Sequence, residues 1–143
     1  MSAARSPEPG SYLSSGEKLA LGTEILGAYV RARWLLWRTD LPSTIAALRS
    51  ASPRPDLRAV DTSQAGVRLG RAVGRTLRHL PFDSRCLMRS LVLTSILARR
   101  GIESSLVIEV QSSPRFAAHA WVEREGVPLL PPGGPLFRRL LEI

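Results

Sequence analysis

Cys86 and His119 are the two residues of this sequence that could form a nucleophile and its general base. Cys86 is the only cysteine among 143 residues. Asp83 or Ser84 could cap a helix, which would place the sulfur in its first turn, where free N–H groups and the helix dipole favour a thiolate. His119 lies between two alanines, which would leave its imidazole accessible. If folding brings them together, the two side chains would form a Cys–His pair for acyl transfer.

Each of these residues also has an ordinary structural interpretation. A lone cysteine is more often a small buried apolar residue, and a lone histidine is more often satisfied within the core. Spacing alone therefore leaves both interpretations open. His79 is expected to be an ordinary surface histidine. One cysteine and two distant histidines do not form a ligand set, and no phosphate-binding loop is recognisable, so we predict no metal and no cofactor.

Helical patterns occupy the first two thirds of the chain. Ser14 and Glu17 form a capping-box signature, and apolar residues then recur at helical spacing. Trp34 and Trp37, near the end of this first helix, could contact a partner or lie in the core or at its rim, and we expect the core or rim position. The predicted helices run from Ser14 to about Arg38, from Pro42 to about Arg49, from Ser63 to Leu80, and from Cys86 to a stop at Gly101.

After Gly101 the apolar pattern changes from helical spacing to alternation. Leu106, Ile108 and Val110 alternate with more polar neighbours, and residues 116–123 alternate again, with His119 and Trp121 on one face. Residues 127–130 could add a third strand, and the type of the last element is left open. Helices followed by strands predict an α+β domain, with antiparallel strands packed on the cysteine helix.

Basic residues exceed acidic residues, and the excess favours an acidic partner. Lys and Arg total 20 against 12 Asp and Glu, a formal charge of +8. The third predicted helix carries an arginine stripe, which is either a solvated helix face or a contact for an acidic peptide or nucleic acid. Dense basic blocks and interleaved aromatic residues are not evident, so we do not expect a nucleic-acid partner. The stripe consists of Arg68, Arg71, Arg75 and Arg78.

The sequence also indicates a compartment. The polar N-terminal stretch does not resemble a signal peptide, and a single cysteine cannot form an internal disulfide. The longest apolar candidate, residues 19–37, is interrupted by Glu24, Arg31 and Arg33, which would be costly within a bilayer. We therefore expect a cytoplasmic protein without a membrane partner.

Two ordered motifs resemble a known family. They are "CLMRSLVLTSILARRGI" at 86–102 and, after the strand "LVIEV", "FAAHAWVE" at 116–123. Together they are similar to the transglutaminase-like cysteine peptidases of lasso-peptide biosynthesis, in the stand-alone form that works with a separate leader-binding protein. The resemblance implies a papain-like or transglutaminase-like core at 61–143. A helical docking region at 14–60 and a disordered arm at 1–13 would precede this core.

The resemblance also implies an activity. In that family a cysteine peptidase, which is a hydrolase, removes the leader from a ribosomally made precursor through an acyl-enzyme, and a cyclase then closes the ring. Cys86 would be the nucleophile, and His119 the general base and acid. The implied partners are the precursor peptide, a small leader-binding protein and the macrolactam-forming cyclase.

One member of the family pattern is missing. The strand after the histidine strand should carry an Asp that orients the imidazole, but "GVPLLPPGG" contains no acid. Glu123 lies on the face of His119, yet four residues along a strand span about 13 Å, too far for a direct bond without a bulge. Glu125, Glu142 or a backbone carbonyl could replace the Asp. The alternative is a non-catalytic protein that binds the precursor or a partner through a degenerate site.

Overall fold

The computed structural model describes residues 14–50, 52–54, 62–80 and 86–143. The predicted arm at 1–13 and the capping candidates Asp83 and Ser84 lie outside these residues. Within them the chain forms helices first and strands afterwards, which confirms the α+β prediction. The elements are α1 (Ser15–Arg38), α2 (Leu41–Arg49), α3 (Thr62–Arg78), α4 (Cys86–Arg99), β1 (Ser105–Gln111), β2 (Ala117–Arg124), β3 (Val127–Pro128) and β4 (Arg138–Glu142).

Local hydrogen bonds begin the first two helices where the sequence predicts. The Ser14 hydroxyl accepts from the Glu17 amide at 3.2 Å, and the Glu17 carboxylate accepts from the Ser14 amide at 2.7 Å. Both bonds of the capping box are therefore present. Asp40 caps α2 by accepting from the Ser43 amide at 2.8 Å. Hydrogen bonding to Ser43 lowers the pKa of the Asp40 carboxyl.

Helix α4 forms the centre of the molecule. Every residue from Leu91 to Leu97 is buried, and α4 contacts α1, α2, α3 and the sheet. A helix that is apolar around most of its circumference must be surrounded by other elements, so burial on all sides explains the sequence pattern. This arrangement fixes the start of α4, and with it Cys86, relative to β2.

The four strands form one antiparallel sheet in the order β3-β2-β1-β4. Leu106 pairs with Val122 across β1 and β2, and both are fully buried. The predicted third strand is shorter than expected and ends at Pro128, although the Leu129 amide still donates to the Val122 carbonyl at 2.8 Å. The last element, whose type the sequence left open, is the edge strand β4.

The expectation for the two tryptophans of α1 is wrong. Trp34 is 50% exposed and Trp37 is 79% exposed. Helix α1 buries its opposite side, through Ile25, Ala28 and Ala32, and leaves both indoles outside. The Arg38 guanidinium lies 4.8 Å from the Trp34 ring centroid, a cation–π distance.

No helix among the described residues is both long enough and apolar enough to cross a membrane. The predicted division of the chain at residue 60 into a docking region and a core stays a prediction.

The contact between α3 and Leu129 allows a test of the packing. A Cβ at Gly70 would overlap the carbonyl oxygen of Leu129, whereas a Cβ at Gly74 would meet no atom within 4 Å. We expect Gly70→Ala to lower the free energy of unfolding by about 1–3 kcal/mol, because overpacking outweighs the helix propensity of alanine. Gly74→Ala, in the same helix, should raise it by about 0.5–1 kcal/mol. Urea unfolding measures both, and equal effects would contradict the close contact.

Candidate active site

The Cys86 sulfur lies against strand β2. Cys86 is the first residue of α4 and is half-buried. The backbone amide of Ala120 donates a hydrogen bond to Sγ at 3.4 Å. Ala120 directly follows His119, so this bond holds the sulfur beside the strand residue that carries the candidate base. The amides that open a helix have no intrahelical partner, so no carbonyl of α4 accepts from the N–H of Cys86, and a developing oxyanion could.

The imidazole of His119 is held by a backbone carbonyl. Its Nε2 lies 2.7 Å from the carbonyl oxygen of Pro131. A carbonyl oxygen can only accept a hydrogen bond, so Nε2 carries the proton. In the neutral ring Nδ1 then holds the free lone pair, which is the state a general base needs. Of the groups that the sequence left open for orienting His119, the structure therefore places a backbone carbonyl on the ring.

Two aromatic side chains also contact the ring of His119. The Trp121 ring lies 5.7 Å from it between centroids, at an interplanar angle of 30°. The Phe137 ring approaches edge-on at 6.2 Å and 64°. Trp121 is itself buried, and its indole N–H donates to the Glu123 carboxylate at 2.9 Å. These contacts fix the orientation of the imidazole together with the Pro131 bond.

The three acids considered from the sequence bind elsewhere. Glu123 accepts from Trp121 and forms an ion pair with Arg139 at 3.2 Å. Glu142 also pairs with Arg139, at 2.8 Å, and Glu125 lies 3.7 Å from Arg124. Hydrogen bonding to Glu142, assisted by the other nearby carboxylates, raises the pKa of Arg139. Glu123 therefore supports the tryptophan beside His119 rather than the imidazole itself.

Sequence reasoning missed three neighbours of His119. Pro131 and Phe137 come from the segment after β3, which the sequence treated only as a break in the pattern. Glu109 is the residue of β1 directly opposite His119. Directly paired residues place their side chains on the same face of a sheet. Glu109 could have been predicted from the sequence, because the alternation of apolar and polar residues in β1 and β2 places Glu109 and His119 on the same face of the sheet.

Gly133 allows Phe137 to approach His119, and this contact can be tested. A Cβ at Gly133 would lie 2.9 Å from Cγ of Phe137, whereas a Cβ at Gly134 would meet nothing within 4 Å. We expect Gly133→Ala to displace Phe137 and the adjoining Pro131 segment and to shift the imidazole NMR signals of His119. Any peptidase activity should fall about tenfold, because catalysis depends on small displacements. Gly134→Ala is the control, and equal shifts in both variants would contradict this role of Phe137.

No group of three or more potential metal ligands occurs among the described residues.

An α+β fold that sets a helix-terminal thiol beside a histidine-bearing strand is compatible with cysteine hydrolase activity. The family model described as Transglutaminase-like superfamily matches residues 26–141. The match covers most of the chain, which therefore belongs to the transglutaminase-like superfamily. No curated protein and no solved structure matches the chain. The superfamily implied by the sequence motifs is confirmed, and the roles of Cys86 and His119 stay predictions.

Proposed function

We propose that this protein is a cysteine peptidase that removes the leader from a ribosomally made lasso-peptide precursor. The observation that carries the proposal is the hydrogen bond from the Ala120 amide to the Cys86 sulfur, on the strand whose preceding residue, His119, has its Nε2 held by the Pro131 carbonyl. Membership of the transglutaminase-like superfamily supports the chemistry. The order of the cysteine and histidine motifs supports the lasso-peptide assignment. A reducing compartment such as the cytoplasm would keep the thiol free.

The reaction would proceed in two steps. Nδ1 of His119 takes the thiol proton while Sγ of Cys86 attacks the carbonyl carbon of the scissile peptide bond. The C–N bond then breaks, the leaving amine receives the proton from His119, and the amino-side fragment remains as a thioester on Cys86. Water, deprotonated by His119, attacks the thioester and releases a carboxylate and the free thiol. The Cys86 N–H would stabilise the oxyanion in both steps.

Orientation of the imidazole would not require the missing Asp. The Pro131 carbonyl selects the same tautomer that a carboxylate would select, because both groups accept from Nε2. A carbonyl carries no full negative charge, so it would stabilise the imidazolium less than a carboxylate does. We therefore propose a working but slower site rather than a degenerate one.

Partner binding would use the exposed side of α1. Leu26, Val30 and Trp34 recur at helical spacing on this helix, and Trp37 extends the same exposed surface. Exposed apolar stripes of this kind mark contacts with other proteins. We propose that the small leader-binding protein docks here and brings the precursor, with the cyclase acting afterwards on the product.

The direct test is a reconstitution. The full chain is mixed with a candidate precursor and its leader-binding protein, and products are identified by mass spectrometry. We expect two fragments whose masses add up to the mass of the precursor plus one water. An intact precursor after long incubation with a partner that does bind would contradict the proposed function.

A further inference from the structure

Helix α3 presents one side made of arginine. Leu69, Val73 and Leu77 are buried on its inner side. On its outer side four guanidinium groups are exposed, at spacings of three and four residues that bring them onto neighbouring turns. They belong to Arg68, Arg71, Arg75 and Arg78.

These four charges are not neutralised within the described part of the chain. None of them forms an ion pair there, and Arg68 makes only a long hydrogen bond, 3.4 Å, to the Gln64 side chain. Each pair of like charges at these spacings destabilises a helix by about 0.2–0.5 kcal/mol. A ligand with carboxylates would relieve this repulsion, so the stripe is complementary to an acidic partner.

An apolar groove adjoins the start of the stripe. It has a volume of about 350 Å³. Glu125 is the one acid that lines it among the described residues, and this carboxylate lies 3.7 Å from Arg124 rather than pairing with an arginine of α3. Aliphatic side chains and arginines together line it, chiefly Val67, Val127, Leu129, Arg68, Arg71 and Arg124.

This groove lies near the candidate active site. Leu129 lines the groove, and Pro131, two residues later, holds His119. Two residues of extended chain span about 7 Å, so the groove and the imidazole are close. Gly66 and Gly70 bring α3 into direct contact with Leu129, which fixes the stripe relative to the same segment.

We propose that the groove and the arginine stripe bind an acidic segment of the peptide substrate that also carries an aliphatic residue. This proposal rests on the proposed function and adds a substrate class to it. The aliphatic side chain would occupy the groove, and carboxylates would pair with the planar guanidinium groups of Arg71 and Arg75. From Arg68 to Arg78 the stripe extends for about 15 Å, the length of about five residues of extended peptide.

The lining of the groove favours a peptide over a nucleic acid. Binding of single-stranded nucleic acid relies on aromatic side chains that stack on bases. Among the described residues, the side chains that line this groove include no aromatic ring. Valine and leucine instead match an aliphatic side chain of a peptide.

Binding can be measured without cleavage. We would use full-length protein carrying Cys86→Ala and a fluorescein-labelled decapeptide with one leucine and alternating glutamates, with its glutamine counterpart as the comparison. We expect the acidic peptide to bind at least about tenfold more tightly, and the advantage to shrink with added salt. Equal affinities, or tighter arginine-dependent binding of an oligothymidine, would overturn the proposal.

Matched variants separate the stripe from general charge. Arg71→Gln with Arg75→Gln should weaken binding of the acidic peptide about tenfold, and glutamine keeps the helix propensity of these exposed positions. Arg33→Gln with Arg115→Gln removes the same charge from exposed positions on α1 and before β2. This control pair should bind almost normally. An equal loss in both pairs would show that only net charge matters and would overturn the proposal.

Kinetics distinguish this proposal from the proposed function. With an acidic precursor the Arg71/Arg75 variant should raise KM and leave kcat nearly unchanged. Unchanged cleavage kinetics in this variant would overturn the docking site while the peptidase stands. Arginine-dependent peptide binding in a wild-type protein that never cleaves would support the docking site and refute the peptidase.

Discussion

Replacing Cys86 by alanine should abolish peptide cleavage, with kcat/KM reduced by at least about 10³-fold. The sulfur is the atom that forms the bond to the substrate, and Cys86 is the only cysteine of the chain. Alanine keeps the helix start, so binding of the precursor should survive. Cleavage of a labelled precursor, followed by mass spectrometry under single-turnover conditions, measures the loss directly.

A variant in the same helix provides the control for folding. Ser95 is fully buried in α4, and its hydroxyl has no hydrogen-bond partner among the described residues. Ser95→Ala removes one side-chain oxygen from α4, just as Cys86→Ala removes one sulfur. The Ser95→Ala protein should cleave the precursor at the wild-type rate. If Cys86→Ala also cleaves at the wild-type rate, the assignment of the nucleophile is wrong. If the wild-type protein binds the precursor without cleaving it, the result supports the non-catalytic alternative.

Local sequence signals predicted the parts of the site that depend on chain-neighbouring residues. The capping box at Ser14 and the apolar circumference of residues 86–99 each follow from helix geometry. The alternation around His119 likewise places it with Trp121 on one face of β2. Cys86 at a helix start was therefore predictable, and its position against β2 follows from packing α4, the most deeply buried of the described helices, on the strands.

The orientation of His119 was not predictable, for a physical reason. The group that holds Nε2 is a backbone carbonyl, and every residue has one, so no residue type marks it. The segment from Leu129 to Phe137 contains no periodic pattern, and its path is fixed by contacts with Gly70 and His119. The exposure of Trp37 was missed for a similar reason, because amphipathic spacing does not tell which of two apolar sides becomes buried.

Replacing His119 by glutamine should lower kcat by about 10²–10⁴-fold, the usual contribution of general acid–base catalysis. Glutamine can still donate from its amide to the Pro131 carbonyl, so the segment around Pro131 should stay in place. It cannot accept the thiol proton and return it to the leaving amine. The variant should therefore bind the precursor, and its midpoint of urea unfolding should be close to that of the wild type. It should cleave the precursor very slowly.

His79→Gln is the matched control, because His79 is exposed and is the only other histidine of the chain. It should cleave at the wild-type rate. The tautomer gives an independent check: ¹⁵N NMR of the Cys86→Ala protein should find His119 protonated at Nε2 and free at Nδ1, as the 2.7 Å contact with Pro131 requires. A ring protonated only at Nδ1 would contradict the role of the carbonyl, because Nδ1 could then not take the proton from sulfur.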